Sequence, residues 1–349
     1  MRRSRWAGLL VSSLAVLFGV TGCGKGVTSP APPSGISVPI QSASQGERPA
    51  DPASSWSPIL NLRGGGAALY PLELGNRWVH EQHSVEVLIP RGGDPQFLYE
   101  QRSTLARGIV CEEAIGGRTY RVEHQTTLDS VETPFRWVRM RQDARGLYEA
   151  DVDISVPPPC YRGARDANPP VTPAVTARAA FDRVMERAGS TASRAAWQTA
   201  WQRQELKLEA ARAFLAGGIT PESFRRDTRL PPEGELLRLA APLRPGGTWV
   251  VRRDPRFTST IEAFESLAMP AGRFEGYRIR MGSEFFGPQD RVLTWYGKDG
   301  YLRGNYHIVS DAITDAGTRV GALVFDFDEV LVQIALVGRS GGGPILSKR

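Results

Sequence analysis

One nine-residue stretch occurs twice in this chain of 349 residues. Residues 71–79 read PLELGNRWV and residues 242–250 read PLRPGGTWV, so both copies contain Pro-Leu-x-x-Gly-x-x-Trp-Val without a gap. Repetition of this kind indicates repeated structural units. Trp78 and Trp249 then occupy equivalent positions, where each is either a core residue of its unit or a contact for a ligand.

The segments after each copy alternate apolar and polar residues between turn signals, which is typical of β-strands. Tyr120, Val122 and His124, for example, share one face of such a strand. Two looser matches follow the first one: Tyr120-Arg121-Val122 with Tyr277-Arg278-Ile279, and Gly146-Leu147-Tyr148 with Gly300-Tyr301-Leu302. We therefore predict a mainly β fold with two related antiparallel units, at 69–160 and 242–337, each resembling a half-barrel.

A helical insertion separates the two predicted units, at 161–241. Apolar residues recur there with helical spacing, and we expect helices between about 175 and 229. The apolar stripe includes Trp197 and Trp201. It predicts a packing face, and the alternative is that the two tryptophans contact a ligand or a protein partner.

The first 22 residues have the layout of a secretory signal. Arg2, Arg3 and Arg5 are followed by an apolar run that ends at Val20. The four residues Val20-Thr21-Gly22-Cys23 resemble the lipobox of bacterial lipoproteins. The resemblance implies that residues 1–22 are removed and that Cys23 carries acyl groups at the mature N-terminus, whereas a plain secretion signal is the alternative.

The segment 23–68 is rich in Pro, Ser and Gly, and such a composition cannot bury enough apolar surface to fold. We interpret it as a tether whose mean reach is about 35–40 Å for ~45 residues, and 338–349 as a flexible tail. Gly24 stands where an acidic residue would, by the same resemblance, favour retention in the inner membrane. We thus expect attachment to the outer membrane, facing the periplasm, with acyl groups as the membrane contact.

The net charge of the chain narrows the classes of molecule that it could bind. The whole chain has a net charge of +6, but loss of three signal arginines leaves 40 basic against 37 acidic residues, or +3. No basic run remains, so nucleic acid is excluded as a partner.

With Cys23 acylated, Cys111 and Cys160 remain, either as one disulfide or as two separate buried thiols.

The sequence contains no motif that gives strong support for a catalytic or metal site. Gly338-Arg339-Ser340-Gly341-Gly342 fits the serine-hydrolase motif G-x-S-x-G, but no histidine follows it. His80 and His83 are three apart, which on a strand places them on opposite faces. His124 and His307 are single histidines on strand faces. The acidic sets around Glu149 (with Asp151 and Asp153) and Asp326 (with Asp328 and Glu329) predict solvated strand faces, and the alternative is a hard cation bound by their carboxylate oxygens. We predict no catalytic residue, no metal ligand set and no cofactor.

A second resemblance concerns the folded part. The two Pro-Leu-x-x-Gly-x-x-Trp copies, Pro270-Ala271-Gly272 before Phe274, and Trp295-Tyr296 before Gly300 are similar to a group of uncharacterised bacterial envelope β domains. That likeness implies a curved sheet of a shape shared with periplasmic carriers of lipid or lipoprotein. Our expectation is a non-enzymatic envelope lipoprotein that binds an apolar ligand or an envelope protein. The alternatives are a structural or assembly module without a ligand cavity and an envelope hydrolase or metal-dependent enzyme.

Overall fold

The computed structural model describes residues 69–128, 136–152, 154–161, 175–187, 190–215, 234–253 and 255–337. This part of the chain contains twelve strands and two helices. In chain order they are β1 (Arg77–Pro90), β2 (Gln96–Ile115), β3 (Arg118–Thr127), β4 (Arg136–Asp143), β5 (Gly146–Ala150), α1 (Val175–Arg187), α2 (Thr191–Leu215), β6 (Glu235–Ala240), β7 (Thr248–Arg252), β8 (Phe257–Met269), β9 (Gly272–Ser283), β10 (Arg291–Gly297), β11 (Gly300–Ile313) and β12 (Arg319–Ala335).

The twelve strands form one antiparallel sheet in the order β6-β5-β4-β3-β2-β1-β12-β11-β10-β9-β8-β7. Strands that are consecutive in sequence therefore pair, except β6 and β7, and β1 also pairs with β12 along its whole length. The two edge strands, β6 and β7, come together where Trp249 Nε1 donates a hydrogen bond to the Leu237 carbonyl at 3.0 Å. The sheet is thus a nearly closed barrel, and its enclosed face is removed from water.

The predicted mainly β fold with inserted helices is confirmed. The ladder between β1 and β12 joins β1–β6 and β7–β12 into one sheet. Strand β6 lies within the range assigned to the helical insertion, yet it pairs with β5. The aligned glycines of the repeat, Gly75 and Gly246, both have positive φ angles, of 93° and 84°, which glycine adopts readily.

Helices α1 and α2 pack against one end of the enclosed face. Phe181, Trp197 and Trp201 are almost fully buried there, in contact with apolar residues at the same end of four adjacent strands: Leu88, Leu98, Ala312 and Leu323. Neither helix has both the length and the apolar content that crossing a bilayer requires. The part of the predicted helical range from 216 to 229 lies outside the described residues.

Helix α2 also covers a free strand edge. Strand β10 begins at Arg291, opposite His307, so β11 extends beyond its neighbour. Lys207 Nζ of α2 donates a hydrogen bond to the Val309 carbonyl at 2.5 Å and lies 2.7 Å from Asp290 Oδ2. Asp290 Oδ1 in turn accepts a hydrogen bond from the Val309 amide at 2.8 Å. A buried ion pair thus satisfies backbone groups that a longer β10 would have paired.

Candidate functional site

The middle of the enclosed face carries charged side chains where an apolar core is the usual arrangement. Five strands contribute one each, and all five are at most 6% exposed. We call the set the charged interior, and its members are Arg107 of β2, Glu123 of β3, Glu149 of β5, Arg238 of β6 and Glu329 of β12. The curvature of the sheet brings these inward-facing side chains together, although β4 lies between β3 and β5 and β1 lies between β2 and β12.

Arg107 lies at the centre of the charged interior. Its Nη2 donates a hydrogen bond to Glu329 Oε1 at 2.8 Å, and its Nη1 lies 3.7 Å from Glu123 Oε1. The guanidinium also stacks 4.5 Å from the ring centroid of Tyr301. Burial alone would lower the pKa of Arg107, but the attraction of Glu329 and Glu123 outweighs it and raises that pKa. Burial would likewise raise the pKa of Glu329, and Arg107 keeps it lowered.

Tyr70, which precedes the first strand, reaches the charged interior. Tyr70 is 2% exposed, and its hydroxyl donates a hydrogen bond to Glu123 Oε2 at 2.8 Å. Glu123 Oε1 accepts a second one from Gln125 Nε2 at 2.7 Å. The backbone amide of Tyr70 donates to Gln142 Oε1 at 3.2 Å. Burial, and then the charge of Glu123, raise the pKa of Tyr70, so its phenol keeps its proton and acts as a donor.

A second ion pair lies on the other side of a small cavity. Arg238 Nε donates a hydrogen bond to Glu149 Oε2 at 2.5 Å. Burial raises the pKa of Glu149 in spite of this partner, because desolvation outweighs the attraction of Arg238. The cavity between the pairs has a volume of about 30 Å³, and its lining includes Arg107, Glu123, Glu149, Arg238 and Tyr296.

His80 adjoins the charged interior but does not carry charge. It is fully buried, and its Nε2 lies 3.2 Å from the Tyr301 carbonyl oxygen. Burial lowers the pKa of His80 to about 4, against the attraction of Glu329, whose Oε1 lies 3.9 Å from Nδ1. At neutral pH the imidazole is therefore neutral, and its nearest carboxylate is paired with Arg107.

The size and lining of the cavity limit what the charged interior can bind. A volume of about 30 Å³ corresponds to roughly one or two water molecules. An acyl chain needs a cavity of several hundred Å³ with apolar walls. The carboxylates are held by guanidinium groups, hydroxyls or amides, which is the arrangement that buried charges require to be tolerated at all.

The four tryptophans singled out from the sequence occupy packing positions. Trp78 is 1% exposed and donates a hydrogen bond from Nε1 to the Asp299 carbonyl at 2.8 Å. Trp249 makes the contact between the sheet edges described above. Trp197 and Trp201 belong to the helix-packed end, where the ring of Trp201 lies 4.5 Å from that of Phe181.

Cys111 and Cys160 form a disulfide in the structure, with an S–S distance of 2.06 Å. The bond ties β2 to the segment after β5. In that segment Tyr161 packs against Trp137, with ring centroids 4.5 Å apart. Cys23, with the predicted signal and tether, lies outside the described residues.

The histidines predicted to lie on strand faces are dispersed. His124 stacks on Trp137 with ring centroids 4.2 Å apart, next to Tyr161. His307 Nδ1 lies 2.7 Å from Asp326 Oδ1, but both side chains are exposed on neighbouring strands. His83 is half exposed and lies 2.9 Å from Glu100. Among the described residues there is no group of three or more metal-ligating side chains arranged to hold an ion.

The prediction of solvated acidic faces is wrong for Glu149 and Glu329, which are buried and paired. Alternation along β12 places Asp326 and Asp328 outward and Glu329 inward, and the carboxylate of Glu329 reaches Arg107. Asp328 is paired on the outer face with Arg303 at 2.9 Å. Asp153 lies outside the described residues.

Sequence reasoning missed Arg107, Glu123 and Arg238. Tyr120 and Val122 mark an apolar face of β3, and Glu123 lies on the opposite face. In the structure the face that carries Glu123 is the one that lines the cavity. One signal was available, because Arg238 interrupts the apolar run from Leu236 to Ala240. A charged residue inside such a run predicts a buried partner without identifying it.

Comparison with known proteins leaves the chain without an assigned family. A scan against protein-family models finds no match, and a search of curated proteins finds none either. Among solved structures, the chain is similar to a candidate lipoprotein from Parabacteroides distasonis, with 11% identity, a TM-score of 0.31, and coverage of 76% of this chain and 98% of that one. It is also similar to a candidate exported protein with a YmcC-like fold from Bacteroides fragilis, with 10% identity, a TM-score of 0.29 and the same coverage. TM-scores near 0.3 are too low to transfer a fold or a function.

Proposed function

We propose that this chain is a lipid-anchored protein of the bacterial cell envelope whose barrel is a non-enzymatic structural or assembly module. One observation carries the proposal: Cys23 ends a lipobox-like sequence and is followed by a Pro/Ser/Gly-rich segment that leads to the barrel. Two or more acyl chains give stable membrane attachment where one does not. The barrel is then held near the membrane without a spanning segment.

The filled interior favours a module without a ligand over a carrier of lipid. Helices occupy one end of the enclosed face, and the charged interior occupies the middle. The cavity between the ion pairs is about 30 Å³ and is lined by carboxylates and guanidinium groups. An apolar ligand would have to displace paired charges, which costs several kcal/mol per ion. A protein partner bound to the outer surface meets no such obstacle.

The positions of the histidines give a hydrolase little support. His307 is within hydrogen-bond distance of Asp326, yet the two side chains are 37% and 58% exposed on the outer face. A catalytic pair of this type normally lies in a pocket that excludes water. The buried histidine, His80, is held neutral next to a carboxylate that is engaged by Arg107.

We further infer outer-membrane attachment, facing the periplasm, from Gly24 after the acylated cysteine. We also infer that the halves β1–β6 and β7–β12 descend from one duplicated unit. The matching positive φ angles of Gly75 and Gly246 support this inference, as does the presence of Tyr120 and Tyr277 in the third strand of each half.

The anchor is tested by Cys23→Ser in cells supplied with a labelled fatty acid. The variant should take up no label and should accumulate as a precursor that still carries residues 1–22. Thr21→Ser, which keeps a small residue in the motif, serves as the control and should be labelled and processed. Labelling of Cys23→Ser at the level of the natural chain would contradict the anchor.

The role of the barrel is tested by native mass spectrometry of the full acylated chain, extracted gently from membranes. A module without a ligand should show the mass of the acylated chain alone. A lipid that stays bound, at one copy per chain after detergent exchange, would overturn the structural role and favour the carrier.

A further inference from the structure

Two buried polar atoms beside the same cavity lack a hydrogen-bond partner in the described part of the protein: Glu149 Oε1 and Arg107 Nε. Both residues line the cavity of about 30 Å³, and both are at most 6% exposed. The other polar atoms of the two side chains have partners, since Glu149 Oε2 accepts from Arg238 and Arg107 Nη2 donates to Glu329. A buried polar atom without a hydrogen bond costs about 1–3 kcal/mol, so such atoms usually have a hydrogen-bond partner in the protein or in a water molecule.

We propose that this cavity is a binding site for one water molecule, which accepts a hydrogen bond from Arg107 Nε and donates one to Glu149 Oε1. Buried waters typically make about three hydrogen bonds. Tyr296 lines the same cavity, and its hydroxyl supplies the third partner. The water thereby connects the ion pair of Arg107 and Glu329 with that of Arg238 and Glu149.

The two unpartnered atoms also determine the chemical class of the ligand. The guanidinium Nε–H can only donate, and a carboxylate oxygen accepts. A single ligand that satisfies both must accept from one and donate to the other. A metal cation or ammonium ion cannot accept from Nε–H, and a halide cannot donate to a carboxylate. Water does both, and a cavity of this volume has room for it.

The direct test is a crystal structure of the full chain at a resolution that shows ordered solvent. One water should lie within about 3.2 Å of both Arg107 Nε and Glu149 Oε1. Empty density in the cavity would overturn the site, as would a direct contact between the two side chains. A peak with the short contacts and the coordination of a metal ion would overturn it as well.

Matched variants of Glu149 separate water binding from packing. In Glu149→Gln the single amide oxygen can still accept from Arg238, and the NH₂ group faces the cavity, where the water can accept from it, so the water should be retained. Glu149→Leu has a similar volume but no acceptor, so the water should be absent. Loss of the water in Glu149→Gln, or its persistence in Glu149→Leu, would contradict the proposed hydrogen bonds.

If Glu149→Leu does not fold, a salt series on the natural chain still tests the class of ligand. Melting temperatures in LiCl, NaCl, KCl and NH₄Cl at equal ionic strength should coincide, because a bound water is not displaced by any of these ions. Stabilisation by one cation over the others would show an ion site and overturn the proposal.

Discussion

Two regions of the enclosed face are filled with different kinds of side chain. At the helix-packed end, Phe181, Trp197 and Trp201 fill the space against apolar strand residues. In the middle, the charged interior fills it with three carboxylates and two guanidinium groups. Both regions are buried to a similar degree, so burial alone does not distinguish them.

The two regions differ in how strongly their stability depends on the identity and geometry of neighbouring side chains. Apolar packing is non-directional, and volume-conserving changes there usually cost little. A buried charge needs a partner of opposite sign with good geometry, and removing that partner leaves an uncompensated charge. We therefore expect single substitutions in the charged interior to be more damaging than comparable ones at the helix-packed end.

Arg107→Met should give the largest effect, because it leaves Glu329 and Glu123 buried without their shared cation. We expect a loss of about 3–5 kcal/mol in the free energy of unfolding, measured by denaturant titration. Arg102→Met is the matched control on the same strand. The Arg102 side chain is 78% exposed and lies 4.0 Å from Glu100, so its loss should cost about 0–1 kcal/mol. Equal effects of the two substitutions would refute the distinction between the regions.

Changing Cys111 and Cys160 to serine should remove about 2–4 kcal/mol, because the bond closes a loop with a sequence separation of 49. It links β2, which carries Arg107, to the segment that precedes the helices. Reduction of the natural chain should lower its stability by the same amount. Alkylation of both cysteines in the folded, unreduced protein would show that the bond is absent.

The pH dependence of stability sharpens the comparison, because His80 is a titratable group buried beside the charged interior. Its pKa is lowered to about 4 from an ordinary value of 6.5. Between these values the unfolded chain binds a proton that the folded chain does not bind. The contribution of His80 is therefore complete above pH 6.5 and is lost as the pH falls towards 4, by roughly 3 kcal/mol.

His80→Gln should flatten the fall in stability between pH 6.5 and 4, measured by denaturant titration at a series of pH values. His83→Gln, at a half-exposed position on the same strand, is the control for the histidine-to-glutamine change itself. If the natural chain and His80→Gln lost stability in parallel, burial of the neutral imidazole would not be the cause.

Gly321→Ala should have the smallest effect, at the helix-packed end. A Cβ at this position would lie 2.4 Å from the Ile89 carbonyl oxygen and 2.5 Å from the Trp197 ring. Overpacking of this kind costs about 1–3 kcal/mol. At Gly108 of β2 the nearest atoms are 3.5 Å away, so Gly108→Ala should be better tolerated.

Adding Trp197→Leu to Gly321→Ala should recover part of the loss, because the ring no longer meets the new methyl group. The double-mutant cycle measures this coupling. Purely additive effects would mean that α2 does not pack against β12 at this glycine.

Local patterns predicted the local structure well. Alternation predicted the strand around Tyr120, and helical spacing predicted helices after residue 175, including the stripe of Trp197 and Trp201. The same patterns did not predict the charged interior. Partners such as Arg107 and Glu329 are 222 positions apart, and no periodicity within one strand reports on a side chain in another. Alternation also assigns two faces to a strand without telling which one the sheet encloses.

The sequence by itself determined a lipobox-like start, a tether composition, a succession of strands with helices between them, and a near-repeat with tryptophans at matching positions. These are local properties of composition and period. Only the tertiary structure decided that one curled sheet would contain all the strands, that Glu149 and Glu329 would be buried rather than solvated, and that two guanidinium groups would meet three carboxylates. The physical reason is that a charge can be buried only where a partner reaches it, and here the curvature of the whole sheet brings the partners together.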